Sequence, residues 1–223
     1  MNEEIELMID YPSNIASKLI NGQIDIGLVP VVTALSLKEH TIISDYCIGC
    51  NGAVASVCLF SDVPLNEIRT ILLDYQSKTS VALLKILISE HWKISPILIE
   101  GTENYQTQIT GTTAGLVIGD RAFEQRLKSK YVYDLGLAWK EMTEMPFVFA
   151  TWISNRALSP AFITAFNNAN ECGLKHLDEV VAQNPNSVFD LKAYYTRFIQ
   201  FSFNEKMQMA KDLFLKKLAD LHV

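Results

Sequence analysis

No apolar run in this 223-residue sequence approaches the length needed to cross a bilayer. Nor is there a basic stripe. The formal charge of −6 argues against nucleic acid as the main partner, so a small anion would need a local cradle that opposes the global sign. The first residues, Met-Asn-Glu-Glu-Ile-Glu, lack the basic and apolar regions of a secretory signal, which predicts a cytoplasmic protein with no membrane partner. Glycine-rich phosphate loops and nucleophile elbows are absent, as are internal repeats and low-complexity segments. The four histidines (His40, His91, His176, His222) show no metal or triad spacing. Cys47 and Cys50 have the two-residue spacing of redox and zinc motifs. However, no second Cys or His pair completes a zinc set, and an Asn-Gly turn rather than a helix follows. With Cys58 and Cys172 they are expected to be reduced thiols.

What is present is apolar content. At 49%, it supports a sizeable core in one large domain or two small lobes. Residues 4–9 read as a strand, and Pro12 opens a helix that turns Ile15, Ala16, Leu19 and Ile20 inward and stops at Gly22. Residues 24–29 form a buried strand closed by Pro30, Asn51-Gly52 a tight turn, and residues 53–60 a long strand. Further strands are predicted at 70–73, 96–99, 114–118, 131–135 and 147–153. From Ser159 onward the pattern is helical, with breaks near Gly173, at Asn184-Pro185-Asn186 and near Ser202, and Asn204 caps the last helix. Trp139 and Trp152 are expected in the core. This order predicts two α/β lobes linked by two crossing strands, near 53–60 and 147–153. The first lobe is formed by residues 1–58 and 150–223, and the second by 59–149.

The organising stretch runs from Ile68 to Trp92. A short strand ends at Asp74, and Val81, Leu84, Leu87 and Ile88 repeat at helical spacing. Between them Gln76, Ser77, Lys78, Thr79 and Ser80 offer hydrogen-bonding groups where the helix begins. The first N–H groups of a helix lack internal partners, and its dipole favours negative charge there. Ser77, Thr79 and Ser80 therefore suit a carboxylate or phosphate cradle, and suit simple capping as well. Gly119 and Asp120 follow another buried strand, at the end where open α/β sheets place ligands. There Asp120 could orient a hydroxyl, take a proton or cap a helix. The Asn51 and Gly52 backbone is a further candidate, with a plain turn as its other role.

Read in order, several phrases form a family pattern. Gly22-Gln23-Ile24-Asp25-Ile26-Gly27-Leu28-Val29-Pro30 is similar to a phrase of type II periplasmic-binding-protein folds. Asp45-Tyr46-Cys47-Ile48-Gly49, Gly52-Ala53-Val54-Ala55-Ser56-Val57, the stretch from Asp74 to Ser80, and Leu116-Val117-Ile118-Gly119-Asp120 narrow the match. Tyr133-Asp134-Leu135-Gly136, Trp139-Lys140 and Pro146-Phe147-Val148-Phe149-Ala150 complete it. From about Ile9 to the last helix the chain resembles the chorismate dehydratases of the futalosine route to menaquinone, within the MqnA/MqnD family. The resemblance implies a two-lobed, periplasmic-binding-like lyase without metal or organic cofactor. Such an enzyme closes on chorismate and removes water to give 3-[(1-carboxyvinyl)oxy]benzoate. It also implies substrate-binding roles for Asn51, Gly52, Ser56, Ser77, Thr79, Ser80, Gly119 and Asp120. Family members usually begin with a further strand and a Ser-Tyr-Leu-Asn-like segment whose asparagine is regarded as catalytic. Met1 stands roughly where that segment should already have passed, so the first strand is expected to be missing, and Asn14 lies in the helix that follows. The sibling enzyme that makes 1,4-dihydroxy-6-naphthoate should carry a histidine beside the cradle threonine, and Lys78-Thr79-Ser80 has none. A non-catalytic small-anion binding protein is the reading from another class.

Overall fold

The apolar runs pair into two sheets. In the computed structural model, which describes residues 5–221, the strands are β1 (Ile26–Pro30), β2 (Thr41–Cys50), β3 (Val57–Ser61), β4 (Thr70–Leu73), β5 (Ile97–Glu100), β6 (Thr113–Ile118), β7 (Tyr131–Asp134), β8 (Phe147–Ser154) and β9 (Gln200–Ser202). The helices are α1 (Pro12–Ile20), α2 (Lys78–Ile86), α3 (Asp120–Arg126), α4 (Leu135–Thr143), α5 (Pro160–Lys175), α6 (Leu177–Gln183), α7 (Leu191–Ala193) and α8 (Glu205–Asp220). One sheet has the order β1-β8-β2-β9 and pairs antiparallel throughout; the other has the order β5-β4-β6-β3-β7. In the second sheet β4 lies parallel to both β5 and β6, so the turns after β4 and β6 emerge at the same edge. That edge carries Asp74 and Gly119.

A shared apolar core ties the sheets together. Leu59, Ile71, Leu84 and Leu116 from the second sheet and its helices pack with Val31, Phe147, Phe149 and Phe214. Trp139 on α4 is fully buried, edge-on to Phe147 at 5.3 Å and to Phe214 at 6.0 Å. Its indole N–H donates to the Pro146 carbonyl at 2.8 Å, so the ring buries a large apolar area without orphaning its polar atom.

The two crossings lie just outside the strands that were expected to carry them. Strand β3 begins at Val57, not at residue 53, and β8 stays within the first sheet for its whole length. Residues 51–56 form an irregular strap between sheets, so Asn51-Gly52 is not a hairpin turn. The strap is held by side chains instead of a ladder. Asp134 Oδ2 accepts from Ala55 N–H at 2.7 Å and from Val54 N–H at 3.1 Å, while Oδ1 caps α4 through Leu137 N–H at 3.1 Å. One carboxylate thereby sets both the crossing and the start of α4. Gly136 lies directly beneath; a Cβ there would sit 2.6 Å from Cys50 Sγ and 2.7 Å from the Gly52 carbonyl.

Other expectations are corrected. Glu4 lies outside the described residues, and residues 5–9 pair with no strand, leaving Leu7 and Ile9 among the most exposed apolar side chains. Extended backbone becomes a strand only when a neighbour takes up its N–H and C=O groups. Among the described residues β1 is an edge of its sheet. Ile20 is exposed, although Ile15, Ala16 and Leu19 are buried as expected. The break expected near Ser202 is the short strand β9, whose Tyr46–Ser202 and Gly49–Gln200 pairings place it outside β2. Trp152 is only half-buried, its ring edge-on to Phe166 on α5. Asn204 does cap α8, accepting from Met207 N–H at 3.1 Å.

Cys47 and Cys50 lie within β2, and together with Cys58 they are buried free thiols, whereas Cys172 is exposed. Burial pushes the Cys47 thiol up to about 12, and burial with the nearby Asp134 charge raises Cys50 and Cys58 as well. A thiolate is the reactive form, so these three are inert at neutral pH. Titration of the native protein with a chromogenic disulfide reagent at pH 8 should therefore release one equivalent rapidly, from Cys172, and four after denaturation. Fast release of a second equivalent would show that the β2 thiols are accessible.

Candidate functional site

Asp74 ends β4 because its side chain offers the backbone a turn in place of the ladder. Its Oδ1 accepts from Gln76 N–H at 2.8 Å. The carboxylate is wholly buried and its second oxygen has two further donors. Arg121 Nη2 stands 2.8 Å from Oδ2, and the Tyr105 hydroxyl donates to the same oxygen at 2.8 Å. The Tyr105 hydroxyl also touches the Leu116 carbonyl, and burial followed by the Asp74 charge raises its pKa. Arg121 donates from Nη2 to Gln76 Oε1 at 2.9 Å and lays its guanidinium 5.6 Å from the Tyr75 ring centre. A single buried charge thus joins the loop after β4, the 3₁₀ turn Tyr105–Gln108 and the turn after β6.

This network fixes the start of α2. Ser77 is the N-cap, accepting from Ser80 N–H at 3.2 Å and donating to Ser80 Oγ at 2.7 Å. Val81 N–H goes to the Ser77 carbonyl. Capping therefore accounts for Ser77 and the Ser80 amide, and among the described residues the first-turn N–H groups of Lys78 and Thr79 have no acceptor. Thr79 is buried, and its hydroxyl has no partner among the described residues. Such a group costs free energy unless something else occupies it. The arrangement suits an oxyanion at the positive end of α2.

A second set of candidates gathers around the strap. Ser56 is buried; its carbonyl accepts from Gly119 N–H at 2.8 Å, and its hydroxyl lies 2.7 Å from the Tyr194 hydroxyl. Gly119 adopts φ +64° and ψ −148°, a conformation open to glycine and strained for other residues, which lets β6 turn sharply into α3. Asp120 is exposed in the first turn of α3, and it makes no side-chain cap bond. Asn51 is exposed just past the end of β2, and the Gly52 carbonyl lies close over Gly136. Residues 119–121 join the two sets, since Gly119 binds Ser56 and Arg121 binds Asp74.

Tyr105 and Tyr194 were not singled out from the sequence, and Arg121 stood in the Gly119-Asp120-Arg121 turn without a role of its own. Tyr105 lies in a polar stretch without periodicity, and Tyr194 in a tail read as plain helix. A buried carboxylate at a strand end demands a cation, and the Arg after Asp120 was the available signal. Of two surface cavities, one of about 210 Å³ is lined by Asn104, Arg121 and Lys128, and one of about 320 Å³ by Asp45, Asn167 and Lys211; residues 77–80 line neither. Among the described residues no group of three or more His, Cys, Asp and Glu is placed to hold a metal ion. No helix there is long and apolar enough to cross a membrane.

Replacing Arg121 with Met should leave the Asp74 carboxylate buried with one cation fewer, destabilising the fold by about 3 kcal/mol in urea denaturation. The Asp74→Asn/Arg121→Met double variant should recover part of that loss, giving a coupling of at least ~1 kcal/mol. Additive effects would mean that the pair acts independently.

Comparison with known proteins identifies the family and the fold. A family model described as menaquinone biosynthesis matches residues 1–220. A chorismate dehydratase of Thermus thermophilus is 29% identical over 198 residues, covering 80% of this chain and 72% of that one. Among solved structures, an Archaeoglobus fulgidus protein superposes with a TM-score of 0.66 at 17% identity, over 98% of this chain and 87% of that one. A Parabacteroides distasonis protein described as an ABC transporter does so with a TM-score of 0.63 at 14% identity, over 95% and 80%. The structural likenesses establish the two-sheet α/β fold, and the match along almost the whole chain establishes the lineage. The chain belongs to the menaquinone-biosynthesis family.

Proposed function

We propose that this protein is a chorismate dehydratase, a carbon–oxygen lyase that eliminates water from chorismate to give 3-[(1-carboxyvinyl)oxy]benzoate. The observation that carries the reading is the buried, unpartnered Thr79 hydroxyl beside the unspent amides at the start of α2. Chorismate carries two carboxylates, and this corner supplies neutral donors and a helix dipole for one of them. Ser80, Ser77 and the Gly119-Asp120 turn complete the binding surface, with Ser56 on the strap and the Asn51-Gly52 backbone at its far side. The two sheets form the two lobes, divided at the strap of residues 51–56 and again just before β8, and the substrate lies between them.

Elimination breaks the ring carbon–hydroxyl bond and removes a ring proton, and water leaves as the ring becomes aromatic. Aromatisation supplies the driving force, so positioning and a water-poor, donor-rich pocket suffice for much of the acceleration. Asp120 is the available carboxylate for proton transfer, and the substrate's own enolpyruvyl carboxylate is a second candidate base. The absence of a histidine in Lys78-Thr79-Ser80 favours the dehydratase over the sibling that makes 1,4-dihydroxy-6-naphthoate.

Purified protein incubated with chorismate should lose the mass of one water from the substrate and gain benzenoid absorbance. Thr79→Ala combined with Ser80→Ala should weaken chorismate binding about tenfold, as expected for lost hydrogen bonds to a charged group, while the thermal transition remains cooperative. Unaltered affinity would remove residues 77–80 from the site. Binding without conversion would favour the small-anion binding protein.

A further inference from the structure

The tail between α6 and β9 reaches across to the second sheet's side of the molecule. Phe189 stacks on Phe123 of α3, with ring centres 4.2 Å apart and planes 8° from parallel. Tyr194 meets the same Phe123 edge-on at 5.3 Å and places its hydroxyl 2.7 Å from Ser56 Oγ. The tail is otherwise lightly held: α6, α7 and the following π-helical turn Tyr194–Phe198 contain no buried residue. Phe123, in contrast, is buried, and it follows two residues after Arg121 on the helix that begins at Asp120. A weakly packed segment thus grips lobe two at the helix that carries candidate site residues. Its polar contact falls on the one candidate side chain of the strap that is buried.

We propose that residues 186–198 are a latch that closes the cleft over bound substrate, and that Tyr194 is a positioning residue acting through Ser56. The latch moves as a unit because Asn186 Oδ1 accepts from Val188 N–H at 2.8 Å and Phe189 N–H at 3.0 Å, and Asp190 caps α7 through Ala193 N–H at 3.0 Å. Docking through one ring stack, one edge contact and one hydroxyl pair is strong enough to hold the segment against α3 and weak enough to release, while the shared core keeps the sheets together. On closure the Tyr194 ring seals the Ser56 side of the cleft, and its hydroxyl fixes the rotamer of Ser56 Oγ. The proposal rests on the substrate-binding reading above for the identity of what is enclosed. The docking itself is independent of that identity.

The two contacts separate by kinetics. Phe189→Ala removes the stack from a surface segment and should raise KM for chorismate about fivefold with kcat little changed, because closure is weakened uniformly. Tyr194→Phe keeps the ring on Phe123 and loses only the hydroxyl, and it should lower kcat several-fold with KM within about twofold. Hydrogen exchange on intact protein is the independent readout. Phe189→Ala should accelerate exchange of residues 186–198 and of α3 about fivefold without altering β4 or β6, and chorismate should slow exchange of residues 186–198 in the unaltered protein. Exchange in α3 that ignores Phe189→Ala overturns the latch whatever the ligand does. If chorismate binds yet leaves residues 186–198 unprotected, the latch fails and the dehydratase reading survives. If chorismate neither binds nor reacts, that reading fails, and the latch stands or falls on the exchange of Phe189→Ala alone.

Discussion

The buried carboxylate of Asp74 is the constraint on which the site depends. A charge with no solvent exposure requires donors on every side, and here they come from three separate loops: the Gln76 amide, the Tyr105 hydroxyl and the Arg121 guanidinium. Satisfying that one group aligns the turn after β4 with the turn after β6. The alignment in turn leaves the first turn of α2 with free amides and an unsatisfied threonine hydroxyl. Of the three buried side-chain polar atoms without a partner among the described residues, Thr79 Oγ1 alone stands at a helix start, and the proposed ligand site is placed there for that reason.

Asp134 plays the matching part at the crossing between sheets. It holds Val54 and Ala55 while it caps α4, so the strap keeps an irregular path, with Ala55 at φ +63°, without any ladder to support it. Arg126 adds a bond to the Ala55 carbonyl at 2.9 Å. The strap presents Ser56 between Gly119 and Tyr194, where both lobes reach it. Two carboxylates, each bonded to backbone amides of its neighbouring loops, therefore fix the turn after β4 against the turn after β6 and the path of the strap between the sheets.

Much of this was legible in the sequence, for identifiable reasons. Short apolar runs closed by turn residues located β4, β6 and β8, because burial on both faces leaves an unmistakable run. The helix start at Ser77 followed from capping chemistry, and the structure assigns Ser77 to the cap and leaves Thr79 unspent. The strap was misread as strand because residues 53–56 are small and apolar, and hydrophobic pattern cannot reveal that backbone N–H groups go to an aspartate eighty residues away. Residues 5–9 have strand-like composition and lack a neighbour, and pairing is a property of the partner as much as of the segment. Tyr105 and Tyr194 acquire their importance only through long-range contacts, which no local spacing encodes. The family phrases carried the functional reading, and several of them meet in the fold, since Asp134 holds Val54 and Ala55 and Gly119 N–H donates to the Ser56 carbonyl.

The most direct test of the account is a crystal structure of the protein with 3-[(1-carboxyvinyl)oxy]benzoate. The account predicts one product carboxylate on the Lys78 and Thr79 amides, within hydrogen-bond distance of Thr79 Oγ1, with the Asp74–Arg121 pair intact beneath it. A product molecule bound away from the start of α2, with the Thr79 hydroxyl still unpartnered, would contradict it.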